Sequence, residues 1–184
     1  MIVAILYATV EGQTGKIASH LARLAEDHGH QVVLADLAQP GFALPGGFDG
    51  AFLCAPIHLG SYPPAFFRFI ENWKAELIGI PTALVTVSLA IASKNADEQA
   101  EARDYPKLLA QRTGGVADWT HHAAGALKYL EYDFFKRWIL RRISQKEGGP
   151  VDTSKDYELT NWAALEEFAH DCLGEFAKRR GRAA

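Results

Sequence analysis

Several familiar signatures are missing from this chain of 184 residues. No apolar run reaches the ~18 residues that a membrane span needs. The first residues carry no basic stretch followed by an apolar run and a cleavage site, so no signal peptide is expected and the cytoplasm is the default location. The two cysteines, Cys54 and Cys172, stand apart and match no zinc or redox spacing. Cys54 lies in an apolar run and is expected as a buried hydrophobe. Charge of one sign is also missing. A net charge of -3 does not make the whole molecule a nucleic-acid binder by bulk charge. There is no G-x-G-x-x-G fingerprint. The Gly15-Lys16 pair is followed by Ile17, with no glycine five residues before it, so Lys16 is not a Walker lysine. No Ser-His-Asp, Cys-His or metal-ligand constellation stands out. His121 and His122 are neighbours on an expected strand, where their rings point to opposite faces, so no metal is expected. No internal repeat or low-complexity segment is present.

What the chain does have is 48% apolar and 22% charged residues, ordinary for one globular domain with a sizeable core. Residues 1–7 read as an apolar strand. Residues 12–28 carry Ile17, Leu21, Leu24 and Ala25 at helical spacing, with Gly29 as a C-cap. Residues 31–36 form a second strand, and the Pro- and Gly-rich segment 37–50 a loop. A third strand is expected over 51–55, a helix over 63–73 with proline in its first turn, and a fourth strand over 81–88. Residues 97–112 predict a charged, mostly exposed helix. A weaker fifth strand falls within 116–127, and an amphipathic helix over 162–178 places Leu165, Phe168, Ala169, Cys172 and Phe176 on one face. Strands one, three and four are near-continuous apolar runs, as in strands covered on both sides. The pattern predicts an α/β fold with a doubly wound five-stranded parallel sheet, order 2-1-3-4-5. Residues 128–161 are too many for a strand-to-helix connection. They are expected as an insertion after or within the fifth strand region of a single domain.

The first strand hands over to its helix through Thr9, Val10, Glu11, Gly12, Gln13 and Thr14. A helix N-terminus offers unpaired N–H groups and the positive end of a dipole. Hydroxyls at Thr9 and Thr14 and a tight turn at Gly12 suit a phosphate of a mononucleotide. Plain N-capping by Thr9 or Thr14 explains the same residues. After the third strand come Pro56, Ile57, His58, Leu59, Gly60 and Tyr62, a second loop at the switch point of such a sheet. Gly60 permits close approach to a flat ring. His58 and Tyr62 suit stacking or hydrogen bonding to that ring, or else a solvated loop histidine and a surface-anchored tyrosine. The fourth strand runs into Ser88, Leu89 and Ala90, an uncharged stretch up to Ser93 that fits an apolar heterocycle edge.

The order of elements and the segment "YATVEGQT" resemble the flavodoxin family, whose cofactor is FMN. That family usually has Thr where this chain has Glu11. A carboxylate beside a phosphate is unfavourable unless it turns away or caps the helix. "TVEGQTGKIASHLA", "APIHLGSYPPAFFRFI" and "GALKYLEYDFFKRWILRRISQKEGGPVDTSKDYELTNW" together resemble the flavodoxin-type, menaquinone-dependent protoporphyrinogen oxidases of bacterial haem synthesis. The third segment is the diagnostic one, because ordinary flavodoxins do not carry it. The resemblance implies FMN, protoporphyrinogen IX as electron donor and menaquinone or ubiquinone as acceptor, and a place at the inner face of the cell membrane. An electron-carrier flavodoxin that docks partner proteins and a nicotinamide-driven quinone reductase are the alternatives. The modest net charge argues against the carrier. No second nucleotide fingerprint supports the reductase. No catalytic acid or base and no oligomeric state is assigned.

Within the insertion, "FFKRWILRRI" interleaves Phe134, Phe135 and Trp138 with Lys136, Arg137, Arg141 and Arg142. Basic and aromatic residues together suit an interfacial helix on an anionic membrane surface. They also suit a pocket in which arginines pair with the carboxylates of a tetrapyrrole and aromatics stack on it, or a packed helix with a solvated basic face. Nothing resembles a nucleic-acid binding module.

Overall fold

A computed structural model describes residues 1–39, 46–127 and 157–183. Five parallel strands form one sheet: β1 (Ile2–Tyr7), β2 (Gln31–Asp36), β3 (Gly50–Pro56), β4 (Thr82–Val87) and β5 (Trp119–Ala123), in the order β2-β1-β3-β4-β5. The predicted strand order is the observed one. In-register pairs such as Ile5 with Phe52 and Cys54 with Val85 align the carboxyl ends of β1, β3 and β4 on one edge of the molecule.

Both sides of the sheet are covered, which explains the continuous apolar runs. On one side Val3, Ile5, Phe52, Cys54 and Val85 meet Ile17 and Leu21 of α1 (Gln13–Asp27) and Leu165, Ala169, Cys172 and Phe176 of α4 (Trp162–Ala183). On the other, Ala4, Leu6, Leu53 and Leu84 meet Phe66, Phe69, Ile70 and Leu77 of α2 (Pro64–Ile78) and Leu109 of α3 (Ala96–Thr113). Alternate residues of one strand thus feed opposite cores. Cys54 and Cys172 are free thiols in the first of these cores, and burial raises both above the ordinary thiol range, Cys172 to about 12.

Three boundaries differ from the sequence-based expectation. Helix α2 does not stop at Trp73; it continues to Ile78 across a break where Trp73 has φ -117° and ψ 20°, and the extra turn buries Leu77 completely. Helix α3, by contrast, covers the expected span with one more residue at each end and keeps Pro106 in its interior. Helix α4 runs past Lys178 to Ala183, and its basic end is held by Arg179–Asp118 (3.0 Å) and Arg180–Asp49 (3.2 Å). The fifth strand is short, and Ala126–Leu127 (β6) leaves the sheet to pair antiparallel with Tyr157–Glu158 (β7). The two ends of the expected insertion therefore lie side by side. Residues 128–156, with Phe134, Phe135, Lys136, Arg137, Trp138, Arg141 and Arg142, lie outside the described residues.

Candidate functional site

A cavity of about 350 Å³ opens at the carboxyl ends of β1, β3 and β4. Three short connections build it, each by a different local device.

The first connection ends in Gly12, the N-cap of α1, at φ 87°. Glycine alone takes that left-handed conformation without strain from a Cβ. Thr9 turns inward on its own loop, its Oγ1 accepting the Gly12 N–H at 2.9 Å, so it does not cap the helix. No other side chain caps α1. Its first-turn N–H groups, which have no partner within a helix, face the cavity end. Val10, Glu11, Gln13 and Thr14 line the cavity, whereas Thr9 and Gly12 shape the turn behind that lining. Thr14 is only 2% exposed and Gln13 6%.

The second connection is a two-residue hairpin. His58 and Ser61 exchange both backbone bonds, at 2.9 and 3.1 Å, around Leu59 (φ 49°) and Gly60 (φ 77°). Positive φ at both central residues is the type I′ pattern. Leu59 is the only described non-glycine residue with positive φ, and it is 76% exposed at the rim. The Ile57 N–H donates to the Val87 carbonyl at 2.8 Å and fixes the hairpin to β4. Pro56, Ile57, His58, Leu59 and Gly60 line the cavity. Tyr62 does not. It is 4% exposed in the core beneath α2, its ring 5.4 Å from that of Phe66.

The third connection starts with Ser88, whose Oγ accepts the Ala90 N–H at 3.2 Å and caps a single 3₁₀ turn, Leu89–Ala92. Ser88, Leu89 and Ala90 line the cavity. Ser93 faces the next helix instead, its Oγ accepting the Asn95 N–H.

The residues that sequence reasoning missed come mainly from α3. Glu98, Glu101, Ala102 and Tyr105 form one wall. Their i, i+3, i+4, i+7 spacing marks a single helix face, but a charged face reads as solvated. The Tyr105 hydroxyl donates to Glu101 at 3.1 Å, and burial, with that carboxylate beside it, pushes its pKa up. Glu11 turns toward the second connection, its Oε1 3.6 Å from Nδ1 of His58. Gly125 and Ala126, where the insertion departs, complete the wall. The returning strand is tied to the first connection. Gln13 Nε2 donates to Thr160 Oγ1 at 2.9 Å, the Thr160 hydroxyl donates to the Ala124 carbonyl at 2.8 Å, and Lys16 pairs with Glu158 at 3.3 Å. The His121 ring packs on Phe168 of α4, and His122 bonds Thr86 Oγ1 at 2.8 Å on the far side of the sheet. Among the described residues no group of three or more His, Cys, Asp or Glu is arranged to hold a metal ion.

An uncapped helix start and two tight turns thus meet around one cavity at the switch point of a doubly wound sheet, the place where such sheets take ligands. Residues 4–154 match the flavodoxin domain family, and the chain belongs to that family. Among curated proteins it is 29% identical over 167 residues to protoporphyrinogen IX dehydrogenase (quinone) of Escherichia coli strain K12, covering 91% of this chain and 92% of that one. It is equally identical to the protein of that name from Leishmania major, covering 90% of this chain and 72% of that one. Among solved structures, a Fusobacterium nucleatum flavodoxin with flavin mononucleotide bound superposes with a TM-score of 0.54 at 13% identity, over 97% of this chain and 96% of that one. A short-chain flavodoxin associated with a bacterial microcompartment gives 0.53 at 12% identity, over 96% and 99%. At such identities these two structures speak for the fold.

Proposed function

We propose that this protein is an FMN-dependent dehydrogenase that oxidises protoporphyrinogen IX to protoporphyrin IX in haem synthesis and passes the electrons to menaquinone or ubiquinone. The observation that carries the reading is the extent of the match. An alignment that leaves only 17 of 184 residues uncovered reaches into the 34-residue insertion 128–161, the segment by which the chain departs from an electron-carrier flavodoxin. In this reading the chain is one flavodoxin-like unit and 128–161 is its functional addition.

The cavity suits FMN. The uncapped start of α1, with Thr14 beside it, would hold the phosphate through backbone N–H groups. Glu11 stands against His58 rather than at the helix start, which removes the conflict between a carboxylate and a phosphate. Pro56, Ile57, Gly60, Leu89 and Ala90 would border the ring. Bound FMN supplies acceptance of two electrons and their release to a quinone, while the protein binds, orients and shields. The exposed apolar side chains of Val10 (49%) and Leu59 at the mouth suit a lipophilic donor.

Porphyrinogen and quinone are both poorly soluble, so attachment at an anionic membrane surface follows. No helix among the described residues is long and apolar enough to cross a membrane, and the basic-aromatic segment of the insertion would serve from outside. Anaerobic reduction of the bound flavin decides between donors. Protoporphyrinogen IX should bleach it, whereas reduced nicotinamide should not; the reverse outcome makes the protein a quinone reductase. Replacing Lys136, Arg137, Arg141 and Arg142 by Gln should leave flavin affinity unchanged. Each basic residue near anionic lipid contributes about 1 kcal/mol, so liposome partition of that variant should collapse. Unchanged partition and turnover would make the segment a packed helix with a solvated face.

A further inference from the structure

We propose that His58, oriented by Glu11, is the proton acceptor of the oxidation. The inference rests on the porphyrinogen reading and adds to it a residue with a chemical task.

The reaction needs such a group. Converting a pyrrole–methylene–pyrrole unit to its conjugated form removes a hydride and a proton. One methylene C–H bond breaks and its electron pair goes to the oxidised flavin. One pyrrole N–H bond breaks, its electron pair stays behind in the new C=N bond, and its proton must leave to a base. The two hydrogens and two electrons lost by the substrate are thereby accounted for. Three such two-electron rounds complete the macrocycle, the quinone removing two electrons after each; because the product keeps two of its four N–H groups and loses one hydrogen from each of four methylenes, two of the three protons leave from nitrogen and the third from a methylene carbon.

His58 is the only histidine on the cavity wall among the described residues; the other ionisable side chains lining it are Glu11, Glu98, Glu101 and Tyr105. An imidazole exchanges protons near neutral pH, where an ordinary carboxylate is too weak a base. Glu101 already accepts the Tyr105 hydroxyl. Three features prepare His58. Its backbone is pinned by both hairpin bonds to Ser61. Its Nδ1 lies 3.6 Å from Glu11 Oε1, near enough for the carboxylate to hold the orientation of the ring. With Nδ1 turned to the carboxylate, Nε2 is the nitrogen left for the substrate. Contacts between catalytic groups often shorten into hydrogen bonds only once the substrate is bound. Glu11 thus acquires a reason to stand in a loop that otherwise favours neutral residues: it is a positioning residue reaching from the phosphate connection to the ring connection.

The test compares wild type, His58→Gln and Glu11→Gln, each as full chain reconstituted with FMN. Flavin fluorescence titration comes first and sets the FMN concentration that saturates each protein, and dithionite reduction confirms that the bound flavin of each accepts electrons, so rates are compared at full loading. Anaerobic stopped-flow mixing with protoporphyrinogen IX then follows flavin bleaching. His58→Gln should slow it about 100-fold, the usual size of a general-base contribution. Glu11→Gln should slow it roughly tenfold. The ring-nitrogen resonances of His58, assigned by their loss in His58→Gln, should change their tautomer signature in Glu11→Gln, which a merely structural role would not do. A wild-type rate in His58→Gln overturns the proposal while leaving the reading of function intact. Wild-type flavin that protoporphyrinogen cannot reduce, though dithionite can, overturns both. A bleaching rate and a His58 tautomer signature that ignore Glu11→Gln remove the positioning role.

Discussion

Two connections in this molecule solve the same topological problem with opposite chemistry. Both follow a buried strand of the parallel sheet, and both enter a helix at the switch point. After β1, the chain enters α1 through Gly12, with no side-chain cap and a backbone donor on every first-turn residue. After β3, it enters α2 through Pro63 and Pro64, which have no N–H at all. The first helix start can hold an anion and the second cannot. Fold alone therefore does not decide which helix start suits an anion; the distribution of backbone donors does. The second connection compensates with shape, a tight hairpin carrying an exposed leucine and a glycine, which suits a flat apolar ring.

The comparison breaks most visibly at Gly12. In Gly12→Asp the new carboxylate would cap the first turn of α1 itself and repel a phosphate, in addition to the strain at φ 87°. FMN affinity should fall about 100-fold, near 3 kcal/mol. Riboflavin, which lacks the phosphate, should bind within about threefold of wild type. Equal losses for both ligands would show that the loop does not serve the phosphate.

Gly60→Ala tests the other connection. Its φ of 77° strains any Cβ by about 1–2 kcal/mol, and that Cβ would come within 3.4 Å of the Tyr105 hydroxyl. Here FMN and riboflavin should weaken together, roughly tenfold. A loss confined to FMN would reverse the assignment of the two connections.

The sheet was legible because β1, β3 and β4 are buried on both faces and their composition says so. The loops were legible because strand-to-helix handovers made of Gly, Thr and Ser have few structural reasons to exist. Tyr62 misleads because an aromatic beside Gly60 looks available to a ring, yet the two prolines after it fold it under α2, against Phe66. Glu98, Glu101 and Tyr105 escape notice because a helix face that lines a polar cavity has the composition of one that faces water. Trp73 looked like a helix end, but the buried Leu77 pays for the extra turn beyond the break.

A smaller effect sharpens the link between the phosphate connection and the insertion. Gln13, the first residue of α1, is occupied by Thr160 and so serves as a strut to the returning strand. Thr160→Val removes the hydroxyl that joins Gln13 to the Ala124 carbonyl. A hydrogen bond of this sort contributes about 1 kcal/mol, so FMN should bind roughly fivefold more weakly. Amide exchange at 157–161, slowed by FMN in wild type, should lose that protection in the variant. Linkage requires both changes or neither.

The smallest effect concerns a region that takes no part in either connection. His121 and His122 sit half-buried on β5, and burial first, then the His122 ring for His121 and Arg103 for His122, lowers both below the ordinary histidine value of 6.5. An unfolded chain takes up protons at these rings as pH falls through 6.5, while the folded protein resists. The unfolded state then binds more protons, so folding stability must drop on acidification. Their contribution is fully present above pH 6.5 and is lost as pH falls from there toward the lowered values of the folded state. Denaturant midpoints at pH 7.5 should exceed those at pH 5.5, and replacing both histidines by Gln should flatten the difference. Because the rings lie on opposite faces of the sheet, away from the cavity lining, flavin affinity at pH 7.5 should stay at the wild-type value. A loss of affinity there would mean that β5 reaches the cofactor after all, and would extend the site beyond the connections that build it.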